Sequence, residues 1–370
     1  MATMVVMVLA LAGCKRFGGP DGGDPVDQQQ QDIEEYEDLC ADLDSHRTEF
    51  LGDEADEVWA YGNHLFWLRF DAWAPTLHGW NAETDQRIDY SFSIGEGDHY
   101  NYRASLSAVA TAEEAGMEIV YHVYDVNAAA TEITTATLDA PGDEQRWWAY
   151  DVDGTDLYVV TTGDETSLLR ARQGGALELV TTLESAGCAV AELWDFAVEN
   201  GVMVFVESGR IWRLDLPSNT ATWLGNELQI SGDVNFGIDG VIWESYDGSS
   251  DRAYFYQYDS REVIDLNEAI AASDYQLNET FASAHRYYGG YTRLREWLIY
   301  IGSSGVFAYH LYEGDVVPLL LSPRGEVRID YRYPRALDNG MVFVTGLTST
   351  SGAVGADGPV YRVDASGSLR

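Results

Sequence analysis

Histidine, cysteine and closely spaced acids are the residues from which a reaction centre or metal site would be built, so their spacing comes first. Seven histidines are scattered along the 370 residues: His46, His64, His78, His99, His122, His285 and His310. No two have the helical or alternate-strand spacing that presents a pair of imidazoles to zinc. Asp151-Val152-Asp153-Gly154-Thr155-Asp156 gathers carboxylates as a hard cation requires. Its spacing departs from the usual Asp-x-Asp-x-Asp-Gly loop, so a solvated turn is the expectation and Asp151, Asp153 and Asp156 a weak calcium candidate. No Gly-x-Ser-x-Gly elbow and no phosphate-cradling glycine loop occurs. Acid–base carboxylates cannot be singled out among 61 acids. No catalytic residue is assigned, and no cofactor is expected.

The charge balance excludes some partners. The 61 acids face 22 bases, giving a net charge of −39, and Lys15 is the one lysine. Such a surface repels phosphate backbones, because nucleic-acid binding depends on basic groups that displace counterions. It repels anionic headgroups for the same reason, so membrane contact would need a covalent anchor.

From about residue 49 onward the elements are short. β-Branched and aromatic runs alternate with Gly, Asp and Asn turns, and no long helical period appears. The clearest unit is 152–183, with a turn at Asp153-Gly154 and strands over 157–162, 167–172 and 177–183. Marker strands of the same kind begin at 64, 105, 157, 202, 241, 297 and 341. Repeats of roughly 40–50 residues with four strands each are the signature of a β-propeller. The fold class expected is therefore all-β: a propeller of seven four-stranded blades, with six as the alternative count and a pair of β-sandwiches as the alternative architecture. The last copy needs an outer strand, which 48–51 can supply. The Asp-Gly turn followed by an aromatic–aliphatic strand resembles TolB-type propellers. That resemblance covers some 320 residues and rests on architecture.

The first fifty residues read differently. An apolar run over 1–12 ends at Gly13-Cys14 and is too short to span a bilayer. Leu11-Ala12-Gly13-Cys14 resembles the lipobox of bacterial lipoproteins, though no Lys or Arg precedes the apolar run. The resemblance implies cleavage before Cys14, acylation of its thiol and amine, and export. The protein would be held by lipid at the outer or the cell membrane, facing periplasm or exterior. Expected divisions are a signal peptide over 1–13, a tether over 14–31 rich in Gly, Pro, Asp and Gln, a lead-in over 32–48 and the propeller over 49–370. With Cys14 used by the anchor, Cys40 and Cys188 remain as a candidate disulfide in a compartment where such bonds persist.

Loop length points to a binding face. In propellers, links between second and third strands share one end with links between blades. The long connections 71–78, 267–287 and 346–359 are of these types. They carry Trp73, His78, Trp80, Tyr275, His285, Tyr287 and Asp357 as candidate binding residues. The function expected is a non-catalytic binding or scaffold module for an envelope protein partner. Glycan or cell-wall polymer recognition, and a hydrolase or lyase with its site at the propeller channel, stay open as alternatives.

Overall fold

A computed structural model describes residues 25–369 except 53–54, 56, 72–73, 94–101, 116–117, 129–130, 140–148, 163–164, 189–192, 208–209, 226–233, 238, 247–250, 274–290, 303, 323–328 and 349–358. Seven four-stranded antiparallel sheets follow one another along the chain. Blade 1 comprises β2 (Glu57–Tyr61), β3 (His64–Asp71), β4 (Ala74–Asn81) and β5 (Gln86–Ser93). Blade 2 comprises β6 (Tyr102–Ala104), β7 (Ala108–Ala115), β8 (Glu118–Asp125) and β9 (Glu132–Asp139). Blade 3 has β10 (Tyr150–Asp153), β11 (Asp156–Thr162), β12 (Thr166–Ala171) and β13 (Glu178–Thr182). Blade 4 has β14 (Leu193–Glu199), β15 (Val202–Glu207), β16 (Arg210–Asp215) and β17 (Thr220–Gly225). Blade 5 has β18 (Val234–Phe236), β19 (Gly240–Tyr246), β20 (Asp251–Gln257) and β21 (Val263–Asp265). Blade 6 has β22 (Tyr291–Leu294), β23 (Trp297–Ile301), β24 (Gly305–His310) and β25 (Val316–Leu321). In blade 7, β26 (Ile329–Ala336), β27 (Met341–Thr348) and β28 (Val360–Asp364) are completed by β1 (Arg47–Leu51) from the other end of the chain. The seven-blade count and the closing strand expected from 48–51 both stand.

First strands of neighbouring blades touch one another, as in β22 with β26, β10 with β14 and β2 with β26, so they line the axis. The marker strands are the second in each sheet. Their residues alternate between two blade interfaces, so both faces are buried. Leu65 and Trp67 join the cluster shared with blade 7, while Phe66 and Leu68 join the one shared with blade 2. Met203 and Phe205 face blade 3, whereas Val204 and Val206 face blade 5. Burial on both sides turns such a strand into a continuous apolar run in sequence. The buried apolar residues form seven clusters among the described residues, one at each blade–blade interface.

Tight turns between first and second strands set each blade's register. Asn200 and Gly201 both take positive φ, 53° and 74°, as a two-residue hairpin that follows strand twist requires. At Gly340 (φ 87°) a Cβ would lie 2.7 Å from Ser366 Cα, so only glycine fits beneath the C-terminal turn.

Among the described residues two helices depart from the strand pattern. α1 (Pro25–Ser45) is one continuous helix, so it takes in 25–31, which composition assigns to the tether. It lies against β25 and leads into β1. α2 (Leu266–Ala271) is a single short turn after β21, with Asp265 as N-cap accepting from the Glu268 amide. No helix among the described residues is long and apolar enough to cross a membrane.

Candidate binding face

Strand order separates the connections into two sets at opposite ends of the ring. One end receives the first-to-second and third-to-fourth turns. These are short, the longest being 337–340 in the first set and 126–131 and 172–177 in the second. The other end receives the second-to-third and blade-to-blade links, including 266–290 and 349–359.

The short-turn end is fastened from blade to blade by polar contacts. Between blades 1 and 2, Asn127 Oδ1 accepts from Asn81 Nδ2 at 2.9 Å, and His64 Nε2 lies 3.1 Å from the same oxygen. Ser105 Oγ donates to Gly154 O at 2.5 Å between blades 2 and 3. Asp151 and Asp153 accept from the Val198 and Gly201 amides at 2.7 and 2.8 Å between blades 3 and 4. Between blades 5 and 6, Asp239 accepts from both the Arg293 guanidinium and the Tyr312 hydroxyl. Burial, and after it Asp239, pushes the Tyr312 hydroxyl up to about 12. Arg295 donates to Asp338 O at 3.0 Å between blades 6 and 7. The Asp338 amide donates to Gly62 O at 2.8 Å between blades 7 and 1. Blades 4 and 5 are joined nearer the rim, where the Tyr256 hydroxyl donates to Leu224 O.

Inside this ring two first strands end in acids, β10 at Asp153 and β14 at Glu199, and Asp338 follows β26 in its turn. The Tyr61 hydroxyl is pushed above its ordinary range, by burial first and then by Glu199, Asp151, Asp153 and Asp338. Glu199, at the end of first strand β14, is exposed, yet its carboxyl is pushed up by partial burial and then by Asp153 and Asp338. Among the described residues no group of three or more His, Cys, Asp and Glu is arranged to hold a metal ion. A small pocket of about 230 Å³ opens beside it between blades 6 and 7, lined by Arg295, Trp297, Asn339 and Leu369 among others.

Several residues singled out from sequence stand elsewhere than expected. The connection assigned to 71–78 is a strand for most of its length, because β3 continues to Asp71 and β4 begins at Ala74. Trp80 is therefore a core residue, 3% exposed, packed on Phe50 and Phe343, with its indole N–H on Asp85. His78 lies mid-strand, stacked on Trp67, with Nδ1 2.7 Å from Asp89 Oδ1 and Nε2 3.0 Å from Thr76 Oγ1. Asp151 and Asp153 are occupied by the backbone amides of blade 4, and with Asp156 they sit at the short-turn end. Cys40 and Cys188 are free thiols, each buried in a different interface cluster: Cys40 with blades 5 and 6, Cys188 with blades 3 and 4. The disulfide expected between them is absent, because each sulfur belongs to its own packed core. Cys14, Trp73, Tyr275, His285, Tyr287 and Asp357 lie outside the described residues.

The fasteners went unrecognised in the sequence. Asp239, Arg293 and Tyr312 are far apart in the chain and carry no local signature. α1 did leave a trace: Tyr36, Leu39, Cys40 and Leu43 fall at i, i+3, i+4 and i+7, the spacing of one apolar helix face.

No family model matches the chain, and no curated protein matches it. Solved structures resemble it in fold. The β-propeller domain of the Trilobed protease from Pyrococcus furiosus aligns at 10% identity with a TM-score of 0.51, over 85% of this chain and 96% of that one. TolB from Acinetobacter baumannii aligns at 12% identity and a TM-score of 0.37, over 81% and 79%. An oligogalacturonate lyase in complex with manganese aligns at 9% and 0.49, over 85% and 89%. At 10% identity, what the first of these shares with the chain is the fold alone.

Proposed function

We propose that this protein is a non-catalytic binding scaffold, exported and lipid-anchored through Cys14, that docks a protein partner on the end carrying its long connections. The observation that carries this reading is the asymmetry of the two ends. Short turns tied across nearly every blade junction make one end a rigid base. The links 266–290 and 349–359 both leave from the opposite end, and long loops on a rigid frame are where recognition is concentrated. Trp73, Tyr275, His285, Tyr287 and Asp357 are the binding candidates on that end. His78 and Trp80 are withdrawn from it. The carboxylates of Asp151, Asp153 and Asp156 lie at the other end, so partner capture is expected to be independent of calcium.

The test is a crosslinked pull-down from envelope extract with the propeller and its N-terminal helix as bait, with and without calcium. A control bait carries shortened 274–290 and 349–358. One abundant protein recovered by the intact bait and lost by the control is the expected result. Recovery of equal material by both baits, or of no protein, overturns the docking reading. Anchoring is tested separately, by metabolic labelling with a fatty acid that the Cys14→Ser chain should not incorporate.

A further inference from the structure

The N-terminal arm meets the propeller in two places with unequal grip. β1 is ladder-paired with β28 from Arg47↔Val363 to Leu51↔Val360. Leu51 is buried, and Arg47 stacks on Tyr361 while donating to the Tyr331 hydroxyl at 3.1 Å. α1 is held by less. Tyr36 and Cys40 are buried in the cluster between blades 5 and 6, with Leu39 and Leu43 half-buried beside them. Side-chain hydrogen bonds reach the end of β25, among them the Tyr36 hydroxyl to Ser322 O at 2.9 Å and Cys40 Sγ to Leu321 O at 3.4 Å.

The helix also lacks what would keep it formed once off its seat. Glu34, Glu35, Glu37, Asp38 and Asp42 are exposed, and the pairs 34/37, 34/38, 35/38 and 38/42 set like charges three or four residues apart. Its last turn contains no basic residue and carries Asp42 and Asp44 against the negative end of the helix dipole, Asp44 being answered by Arg47 of β1 at 2.9 Å. Undocking and melting are therefore coupled, opposed by the apolar seat, the hydrogen bonds to β25 and the Asp44–Arg47 ion pair.

We propose that α1 is a releasable strap over the outer edge of blade 6, which opens while β1 keeps the ring closed. Release uncovers the face of β25 against which α1 lies, at the edge of the apolar cluster between blades 5 and 6. It also frees a stretch of chain between β1 and any membrane attachment at the N-terminus. The open state is favoured at low ionic strength, because salt screens the acids that repel one another along the helix.

The two thiols supply the test, since Cys40 reports the strap and Cys188 reports the core between blades 3 and 4. The full chain carrying Cys14→Ser is labelled with a thiol reagent, and each site is followed by peptide mass spectrometry. Expected is labelling of Cys40 at least about 100-fold faster than Cys188, with little dependence on low urea, as for a local opening. Raising the salt from low to about 0.5 M should slow Cys40 several-fold. Leu43→Ala should accelerate Cys40 about tenfold and leave Cys188 unchanged. Equal rates with the same urea dependence at both thiols overturn the proposal, because α1 would then open only when the whole molecule does. Faster Cys40 labelling in high salt overturns its electrostatic part.

Discussion

The two ends of the ring are built from the same seven blades and solve different problems. At the short-turn end, neighbouring blades exchange hydrogen bonds through the first strand of each or the turn that follows it: Ser105 to Gly154, Asp151 and Asp153 to Val198 and Gly201, Arg293 to Asp239, Arg295 to Asp338. These contacts fix the angle at which each blade meets the next, which an apolar interface alone leaves less defined because hydrophobic contact is non-directional. At the opposite end, link length is free to vary. The second-to-third link is residues 72–73 in blade 1 and 349–359 in blade 7, on sheets of the same four-stranded form. The fold tolerates that difference because loop closure costs grow only slowly with length. Stability and recognition are thus assigned to opposite ends, and substitutions should separate them.

The largest stability effect is expected at the junction of blades 5 and 6. The Arg293 side chain is 7% exposed and donates to Asp239, to Gly240 O at 3.2 Å and to Arg295 O at 2.9 Å. Arg293→Ala leaves Asp239 with one partner fewer, removes a donor from the Arg295 carbonyl and leaves the Gly240 carbonyl with the Gly237 amide, a loss of about 3 kcal/mol in chemical denaturation. Arg293→Lys keeps the charge without the planar fork and should fall between the two. A loss below about 1 kcal/mol in Arg293→Ala would show that the polar ring is incidental to stability. Asp151→Ala comes next. The residue is 8% exposed and its carboxylate satisfies the Val198 amide, so removal should cost about 1–3 kcal/mol. Neither substitution should alter partner capture.

Shortening 349–358 to a two-residue turn is the reciprocal change. Blades 1, 2 and 4 already join their second and third strands by the two-residue links 72–73, 116–117 and 208–209. Blade 7 should therefore accept one with a stability change within about 0.6 kcal/mol, measured by the denaturation midpoint. Partner capture should be lost. A large loss of stability would mean that this link is part of the frame, and the separation of the two ends would fail.

The same division explains what could be read from the sequence. The second strands were legible because both faces are buried: Leu65-Phe66-Trp67-Leu68 and Met203-Val204-Phe205-Val206 are unbroken apolar runs. Turns such as Asn200-Gly201 announced themselves because positive φ restricts residue choice. First strands were harder to see, since β6 and β18 span three residues each and one side faces the axis. Trp80 was misplaced because Trp73-Ala74-Pro75 reads as a loop, while the ladder of β3 with β4 carries on to Asp71↔Ala74. The disulfide failed for a reason absent from any spacing rule: two cysteines in one chain can serve two separate cores. The cross-blade fasteners were invisible because their partners lie 32 residues apart or more, for example Tyr256 with Leu224 and Arg293 with Asp239.

The smallest effect tests whether the short-turn end gives up some stability for its acidic mouth. Glu199 is pushed up by partial burial and by the charges of Asp153 and Asp338. The ionised form is thus less favourable folded than unfolded, and the native state holds its proton to higher pH. Stability contributed by Glu199 must then fall as pH rises through the carboxylate range, the reverse of an acid held in a salt bridge. Glu199→Gln removes that burden and should stabilise the protein at pH 7. Because the side chain is solvent-exposed, the gain should stay within about 0.5 kcal/mol. It should shrink as the pH is lowered toward the ordinary glutamate range, where the wild-type carboxyl is itself neutral. Denaturation midpoints of the two proteins across pH 4 to 7 would show the curves converging at the acid end. Parallel curves would mean that the mouth acids do not feel one another, and that this end is a frame without electrostatic cost.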